Sequence, residues 1–170
     1  MLCSLILLVT LGCSSMKPDD YADTSPEFDL FRYFEGKSRA WGIFQDRFGK
    51  LHRRFKVDIK GSVNGDHLRL EESFIYDDGA TQQRVWEIER LDKHRYSGKA
   101  SDIIGQASGV AYGSALQWQY EMNIQVNGSS WRVHFNDWMF LMDSDTLMNR
   151  ASVTKYGIKI GEVILFFQKV

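Results

Sequence analysis

From Leu116 to Val126 the chain alternates without a fault. Leu116, Trp118, Tyr120, Met122, Ile124 and Val126 are apolar, and Gln117, Gln119, Glu121, Asn123 and Gln125 between them are polar. A period of two places the two sets on opposite faces of an extended strand, one for a core and one for water. Residues 51–63 follow the same rule, with Phe55, Val57, Ile59 and Val63 on one face and His52, Arg54, Lys56, Asp58 and Lys60 on the other. Leu68, Leu70, Phe74 and Tyr76 make a third apolar face.

Turn residues punctuate these runs at Phe48-Gly49-Lys50, Asn64-Gly65-Asp66, Asp77-Asp78-Gly79, Tyr112-Gly113-Ser114, Asn127-Gly128-Ser129 and Tyr156-Gly157. Asn-Gly and Asp-Gly steps favour hairpins because both residues tolerate positive φ. The spacing predicts about ten strands joined almost wholly by tight turns. A meander with one apolar face and two open edges removes those edges by closing on itself. The expected fold is therefore all-β: an antiparallel up-and-down barrel of lipocalin or fatty-acid-binding type, able to hold one small ligand inside. An outer-membrane pore would need the apolar face outward, toward lipid.

One short helix precedes the strands. Ser25 is placed to cap it, Pro26 to occupy its first position, and Phe28, Phe31 and Phe34 to form its apolar stripe. Gly36 would end it. This helix is positioned to plug one end of the barrel.

Charged residues that fall on an apolar strand face are the informative exceptions. Arg53 shares a face with Phe55 and Val57. Glu72 interrupts Leu68, Leu70, Phe74 and Tyr76. Arg84 lies with Trp86 and Ile88. Asp137 follows Trp131, Val133 and Phe135, and Glu162 lies with Ile158, Ile160, Ile164 and Phe166. Asn149 joins Leu147, Ala151 and Val153 in the same way. A charge inside a barrel must pair with another charge, with water or with a ligand. Trp86, Trp118 and Tyr120 belong to the same inner surface. These residues form the candidate site: Arg53, Glu72, Arg84, Trp86, Trp118, Tyr120, Asp137, Asn149 and Glu162. Three outcomes fit them: a self-contained ion-pair network, the seat of an amphipathic ligand's polar head, or acid–base chemistry.

Composition narrows the function. The net charge of −1 offers no basic field for nucleic acid. His52, His67, His94 and His134 fall at turns or on polar faces, without metal-ligand spacing. No nucleophile elbow or phosphate loop is present, and no cofactor is expected. Gly98, Gly105, Gly109 and Gly113 read as bends in barrel strands.

The only cysteines are Cys3 and Cys13. The chain opens with an apolar run, Leu5-Ile6-Leu7-Leu8-Val9-Thr10-Leu11-Gly12, closed by Cys13. The run is shorter than the roughly 20 residues that span a bilayer and reads as the core of a secretion signal. Leu11-Gly12-Cys13 resembles a bacterial lipobox, which implies cleavage before Cys13 and acylation of that cysteine. Thr10 departs from the usual Leu of that motif, and no Lys or Arg precedes the run. Ser14 after the cysteine, by resemblance to enterobacterial lipoproteins, implies the outer membrane, facing the periplasm. The expected organisation is a signal at 1–12, an acylated cysteine and flexible tether at 13–25, and a single monomeric barrel at 26–170.

The C-terminal third carries Asn136-Asp137-Trp138-Met139-Phe140, Leu147-Met148-Asn149-Arg150, Lys155-Tyr156-Gly157 and Gly161-Glu162. Earlier segments are Gly42-Ile43-Phe44-Gln45-Asp46-Arg47-Phe48-Gly49, Arg53-Arg54-Phe55 and Arg84-Val85-Trp86. Together they resemble the DUF3833 family of bacterial proteins, from about Phe34 to the C-terminus. Asn136 stands where that family usually has a second Asp. The resemblance implies a lipoprotein with a lipocalin-type barrel and supplies no reaction. The expected function is a lipid-anchored envelope protein that binds a small amphipathic molecule, its chain on the apolar wall and an acidic head on Arg53 or Arg84. The alternatives are an enzyme using Glu72, Asp137 or Glu162, and a packed barrel that serves as an envelope interaction protein.

Overall fold

Ten antiparallel strands close on themselves in the order β1-β10-β9-β8-β7-β6-β5-β4-β3-β2. They are β1 (Gly36–Asp46), β2 (Leu51–Asn64), β3 (His67–Tyr76), β4 (Thr81–Arg90), β5 (Arg95–Lys99), β6 (Ile103–Tyr112), β7 (Ala115–Val126), β8 (Ser129–Leu141), β9 (Thr146–Lys155) and β10 (Ile158–Lys169). This computed structural model describes residues 15–126 and 128–170. Residues 1–14, which include the expected signal segment and Cys13, and Asn127 lie outside the described residues. Every strand pairs with its sequence neighbour, and β1 closes the barrel against β10 from Ser38↔Lys169 to Asp46↔Gly161.

The alternating faces sort as the period demands. Val57, Ile59, Leu68, Leu70, Trp86, Ile88, Leu116 and Trp118 are buried inside. The outer wall carries cross-strand ion pairs instead, such as Arg39 with Asp58 at 2.7 Å, Arg54 with Asp77 at 3.3 Å and Arg132 with Glu121. The β9–β10 hairpin turns on Tyr156 and Gly157, at φ of 51° and 79°.

Three expectations need correction. The first concerns β10. Lys159 pairs with Thr154 and Gly161 with Val153, so Ile160 is one extra residue, a β-bulge. Beyond it the faces exchange. Val163, Leu165 and Phe167 line the interior, while Ile164 and Phe166 face outward. Glu162 is therefore not inside. It lies on the outer wall and accepts from Arg150 Nη2 and Lys159 Nζ, each at 2.8 Å.

The second concerns the helix, α1 (Leu30–Phe34). It starts later than Ser25 and Pro26 suggest, because Asp29 caps it: its Oδ1 accepts from the N–H groups of Phe31 at 2.9 Å and Arg32 at 3.1 Å. Leu30, Phe31, Tyr33 and Phe34 are all buried, so nearly the whole turn enters the barrel rather than one stripe. Gly61 of β2 admits it, since a Cβ there would stand 1.8 Å from the Phe34 carbonyl oxygen. Lys169 donates to the carbonyl oxygens of Tyr33 and Glu35 and holds its end.

The third concerns residues 15–25. A tether would be free of the barrel, but a 3₁₀ turn at Pro18–Tyr21 is docked on it. The Tyr21 ring packs on Trp138 and Phe140, with centroids 5.8 and 5.4 Å apart. Thr24 Oγ1 accepts from the Ser114 N–H at 2.9 Å. Gly113 is needed beneath it, with φ of +49° and the Tyr21 carbonyl oxygen 1.9 Å from where a Cβ would be.

Candidate functional site

The barrel is hollow. A cavity of about 610 Å³ runs along its axis, within the range of about 300–1,000 Å³ typical of small-molecule sites. Leu30 and Phe34 of α1 form its floor, at the end where β1 begins. Its middle is apolar, with Val57, Ile59, Leu70, Leu116, Met122 and Leu165 on the wall.

Aromatic rings shape one side. Trp86 meets Trp118 edge-on at 5.7 Å and Tyr120 edge-on at 5.4 Å. Tyr120 stacks on Phe135 at 4.9 Å. Trp118 lies across Gly98 and Gly109, where a Cβ would come within 2.6 and 2.4 Å of its ring. These two glycines are a seat for an indole, not bends. Gly105, at φ of +71°, sits within the β6 irregularity between Ile104 and Ser108.

Polar groups gather toward the opposite, unplugged end. Arg53 places its guanidinium 3.5 Å from the centre of the Tyr76 ring and donates to Asp78 Oδ2 at 3.0 Å. Tyr76 donates to Gln82 Oε1 at 2.8 Å. Deeper in, Arg84 donates through Nη2 to Asp102 Oδ2 at 2.7 Å and through Nε at 2.9 Å. Burial works against the Arg84 charge, but Glu72, Tyr120 and Asp102 hold its pKa above the ordinary value.

Glu72 and Asp137 are differently placed. Glu72 Oε2 lies 3.9 Å from Arg84 Nη1, beyond hydrogen-bond reach, and has no hydrogen-bond partner. Burial raises its pKa to about 7, with Asp102 adding to the rise and Arg84 and the Trp86 indole opposing it. Asp137 is only 6% exposed. Burial raises its pKa to about 7 as well, against the pull of Arg84 and of the Asn149 amide beside it. Asn149 is 3% exposed and its Oδ1 has no partner. Burial, with Asp137 nearby, keeps the Tyr120 hydroxyl protonated.

Eight of the nine residues picked from strand periodicity thus line one cavity: Arg53, Glu72, Arg84, Trp86, Trp118, Tyr120, Asp137 and Asn149. Glu162 does not. Sequence reasoning missed Asp102, Gln82 and Tyr76 as polar partners at the mouth. Asp102 lies in the turn between β5 and β6, where no period marks a side chain as inward. Among the described residues, no three His, Cys, Asp or Glu side chains converge as metal ligands.

The DUF3833 family model, described as "Protein of unknown function", matches residues 7–169. The chain belongs to the DUF3833 family. None of the curated proteins matches it in sequence. Among solved structures, it is similar to the S-type phycobiliprotein lyase CPES from Guillardia theta, with a TM-score of 0.57 and 11% identity over 83% of this chain and 89% of the lyase. It is also similar to a DUF3598-family protein of unknown function from Nostoc punctiforme, with a TM-score of 0.58 and 12% identity over 86% of this chain. It spans about half of that protein, 51% of its length. At these identities the likeness concerns the fold: this DUF3833 chain is a closed, lipocalin-like barrel.

Proposed function

We propose that this DUF3833 protein is a lipid-anchored binding barrel of the bacterial envelope that holds a small amphipathic molecule in its cavity. One observation carries the reading: a cavity of about 610 Å³ with an apolar middle, a floor made by α1 and polar groups toward the other end. A packed barrel would leave no such space. The apolar wall would take the ligand's chain, since each buried methylene is worth about 0.8 kcal/mol. Gly12-Cys13 and Ser14 support an acylated N-terminus at the outer membrane, facing the periplasm. The structural likeness to the lyase supports the choice of barrel type and nothing finer.

The test is native mass spectrometry of protein purified from its host, followed by titration of the stripped protein with a lipid panel. Trp86 and Trp118 line the cavity, so a bound chain should change their emission. Affinity near micromolar, about −8 kcal/mol, is the expectation. A folded protein that carries and binds none of the panel would overturn the reading.

A second reading rests on Asp137, a buried carboxyl with a pKa near neutrality and no arginine in hydrogen-bond contact among the described residues. Such a group suits general acid–base work on a bound molecule. Slow turnover of a bound lipid, lost in Asp137→Asn, would promote the enzyme.

A further inference from the structure

The cavity's charges do not cancel. Arg53, at the mouth, is committed to Asp78, and Arg84 is committed to Asp102. Two carboxyls have no arginine within hydrogen-bond reach: Glu72 from β3, 3.9 Å from Arg84 Nη1, and Asp137 from β8, beside the Asn149 amide. The groups facing them are Arg84 and the Trp86 indole from β4, Asp102 from the β5–β6 turn, Tyr120 from β7 and Asn149 from β9. Two buried acceptors on the cavity surface have no donor, Glu72 Oε2 from β3 and Asn149 Oδ1 from β9. A buried acceptor without a partner is unfavourable, and a donor that fills it recovers that loss.

These facts point away from an acidic head. To hold a carboxylate or phosphate, Arg84 would have to leave Asp102, and the anion would then sit beside Glu72. A hydroxyl brings one donor and no charge. A primary ammonium brings three donors and a positive charge. We propose that Glu72 on one side of the cavity, with Asp137 and Asn149 on the side across from it, forms a recognition site for a protonated amine carried on an apolar chain. This rests on the cavity being a ligand site and adds the class of head group it selects.

The site has a pH signature. Glu72 and Asp137 hold their protons up to near neutrality, mainly through burial. A bound ammonium favours their ionised form, so binding releases protons. Amine affinity should therefore rise with pH through about 7, while the affinity of an alcohol should not.

The experiment titrates the stripped, host-purified protein with dodecylamine, dodecanol and dodecanoate, read by tryptophan emission and calorimetry. At about pH 8 the amine should bind roughly tenfold or more tighter than the alcohol, as expected for charge-assisted hydrogen bonds, and dodecanoate should bind weakest. At about pH 5.5 the amine's advantage should shrink toward nothing. Glu72→Gln and Asp137→Asn should each cut the amine's advantage over dodecanol. Calorimetry of the unaltered protein at about pH 6.5, where both carboxyls still hold protons, in two buffers of different ionisation enthalpy, should show proton release with the amine and none with the alcohol. Dodecanol binding without amine preference, or amine binding without proton release, would overturn the head-group assignment and leave the cavity reading standing. No binding of any of the three by folded protein would overturn both.

Discussion

Arg84 reaches from β4 to the turn beyond β5 and grips Asp102 with two donors, Nη2 at 2.7 Å and Nε at 2.9 Å from the same Oδ2. The Arg84 side chain is 14% exposed and that of Asp102 27%. The bond joins β4 to the chain just past the end of the short strand β5, which pairs with β4 only from Glu87↔Lys99 to Arg90↔Tyr96. It ties the mouth where main-chain pairing is thinnest. Arg84→Met would orphan Asp102 and bring Glu72 a step nearer to isolation. The expected loss is about 3 kcal/mol, the lower end of the range for breaking a buried pair because Asp102 keeps some water. Arg84→Met with Asp102→Asn should cost less than the single change. Denaturant midpoints check this against Lys60→Met on the outer wall; equal midpoints for Arg84→Met and the control would count against the pair.

The two unmatched carboxyls make stability fall with rising pH. Glu72 and Asp137 have folded pKa values of about 7, above the ordinary 4.5 and 3.8. Between those limits the native state binds more protons than the unfolded chain, so unfolding free energy declines as pH rises. The slope approaches 1.4 kcal/mol per pH unit for each group at most, or about half that where protonation is partial. The decline should be seen from about pH 5 to 7 and level off above. Asp92, lowered to about 2 by backbone and Arg95 hydrogen bonds, acts in the opposite sense and only under acid conditions. Glu72→Gln and Asp137→Asn should each flatten the slope between about pH 5 and 7 in urea melts. A flat wild-type profile there would show that neither carboxyl is held neutral.

Gly98 and Gly109 are expected to resist any side chain. A Cβ at Gly109 would stand 2.4 Å from the Trp118 ring, which is itself wedged against Trp86. Gly109→Ala should destabilise by about 1–3 kcal/mol, as overpacking does. Trp118→Leu frees the space, so the double variant should lose less than the sum of the two singles. Strictly additive losses in a double-mutant cycle would mean that the ring does not use the glycine.

Much of this was legible from alternation. Leu116, Trp118, Tyr120 and Met122 fix an inward face with no tertiary information, because a one-residue slip would expose them all. The same argument carried Glu72, Arg84, Asp137 and Asn149 to the cavity wall. It failed at Glu162 because the bulge at Ile160 changes the count, so that Ile164 and Phe166 continue the expected inward set on the outside. Gly161 was a signal in hand: its Cβ would lie 2.5 Å from the Gln45 carbonyl oxygen, a close approach of the kind glycine marks in strands. The cap at Asp29 was hidden by Ser25-Pro26, an equally good local pattern. The docking of Tyr21 was not legible, since Trp138 and Phe140 lie far along the chain. Nor was the commitment of Arg84, because Asp102 sits in a turn and follows no period.

The proposed anchor is a separate matter of chemistry. Gly12-Cys13 after an apolar run predicts cleavage and acylation at Cys13. Cys13→Ser should release the protein from the membrane fraction and abolish incorporation of a palmitate analogue. A wild-type protein that takes up no label would remove the anchor from the proposal and leave the cavity untouched.

The floor of the cavity gives the last prediction. Helix α1 is held by Asp29, which accepts from Phe31, Arg32 and Arg90, the last at 2.8 Å, and by the absence of a side chain at Gly61. Losing the cap by Asp29→Ala should cost about 1 kcal/mol and leave Arg90 without its carboxylate. Gly61→Ala acts more directly. Its Cβ would fall 1.8 Å from the Phe34 carbonyl oxygen, a backbone atom that no rotamer change can move. The helix must shift, while β2 keeps its ladder partners Gly36 and Leu70 on either side. If ligands enter and leave past α1, Gly61→Ala should speed dodecanol release several-fold in stopped-flow, with far-ultraviolet dichroism preserved; Ser62→Ala, on the outer wall, should not. An unchanged release rate with a displaced helix would assign the route to the other end, between Arg53 and Gln82, and Arg53→Met should then change it instead.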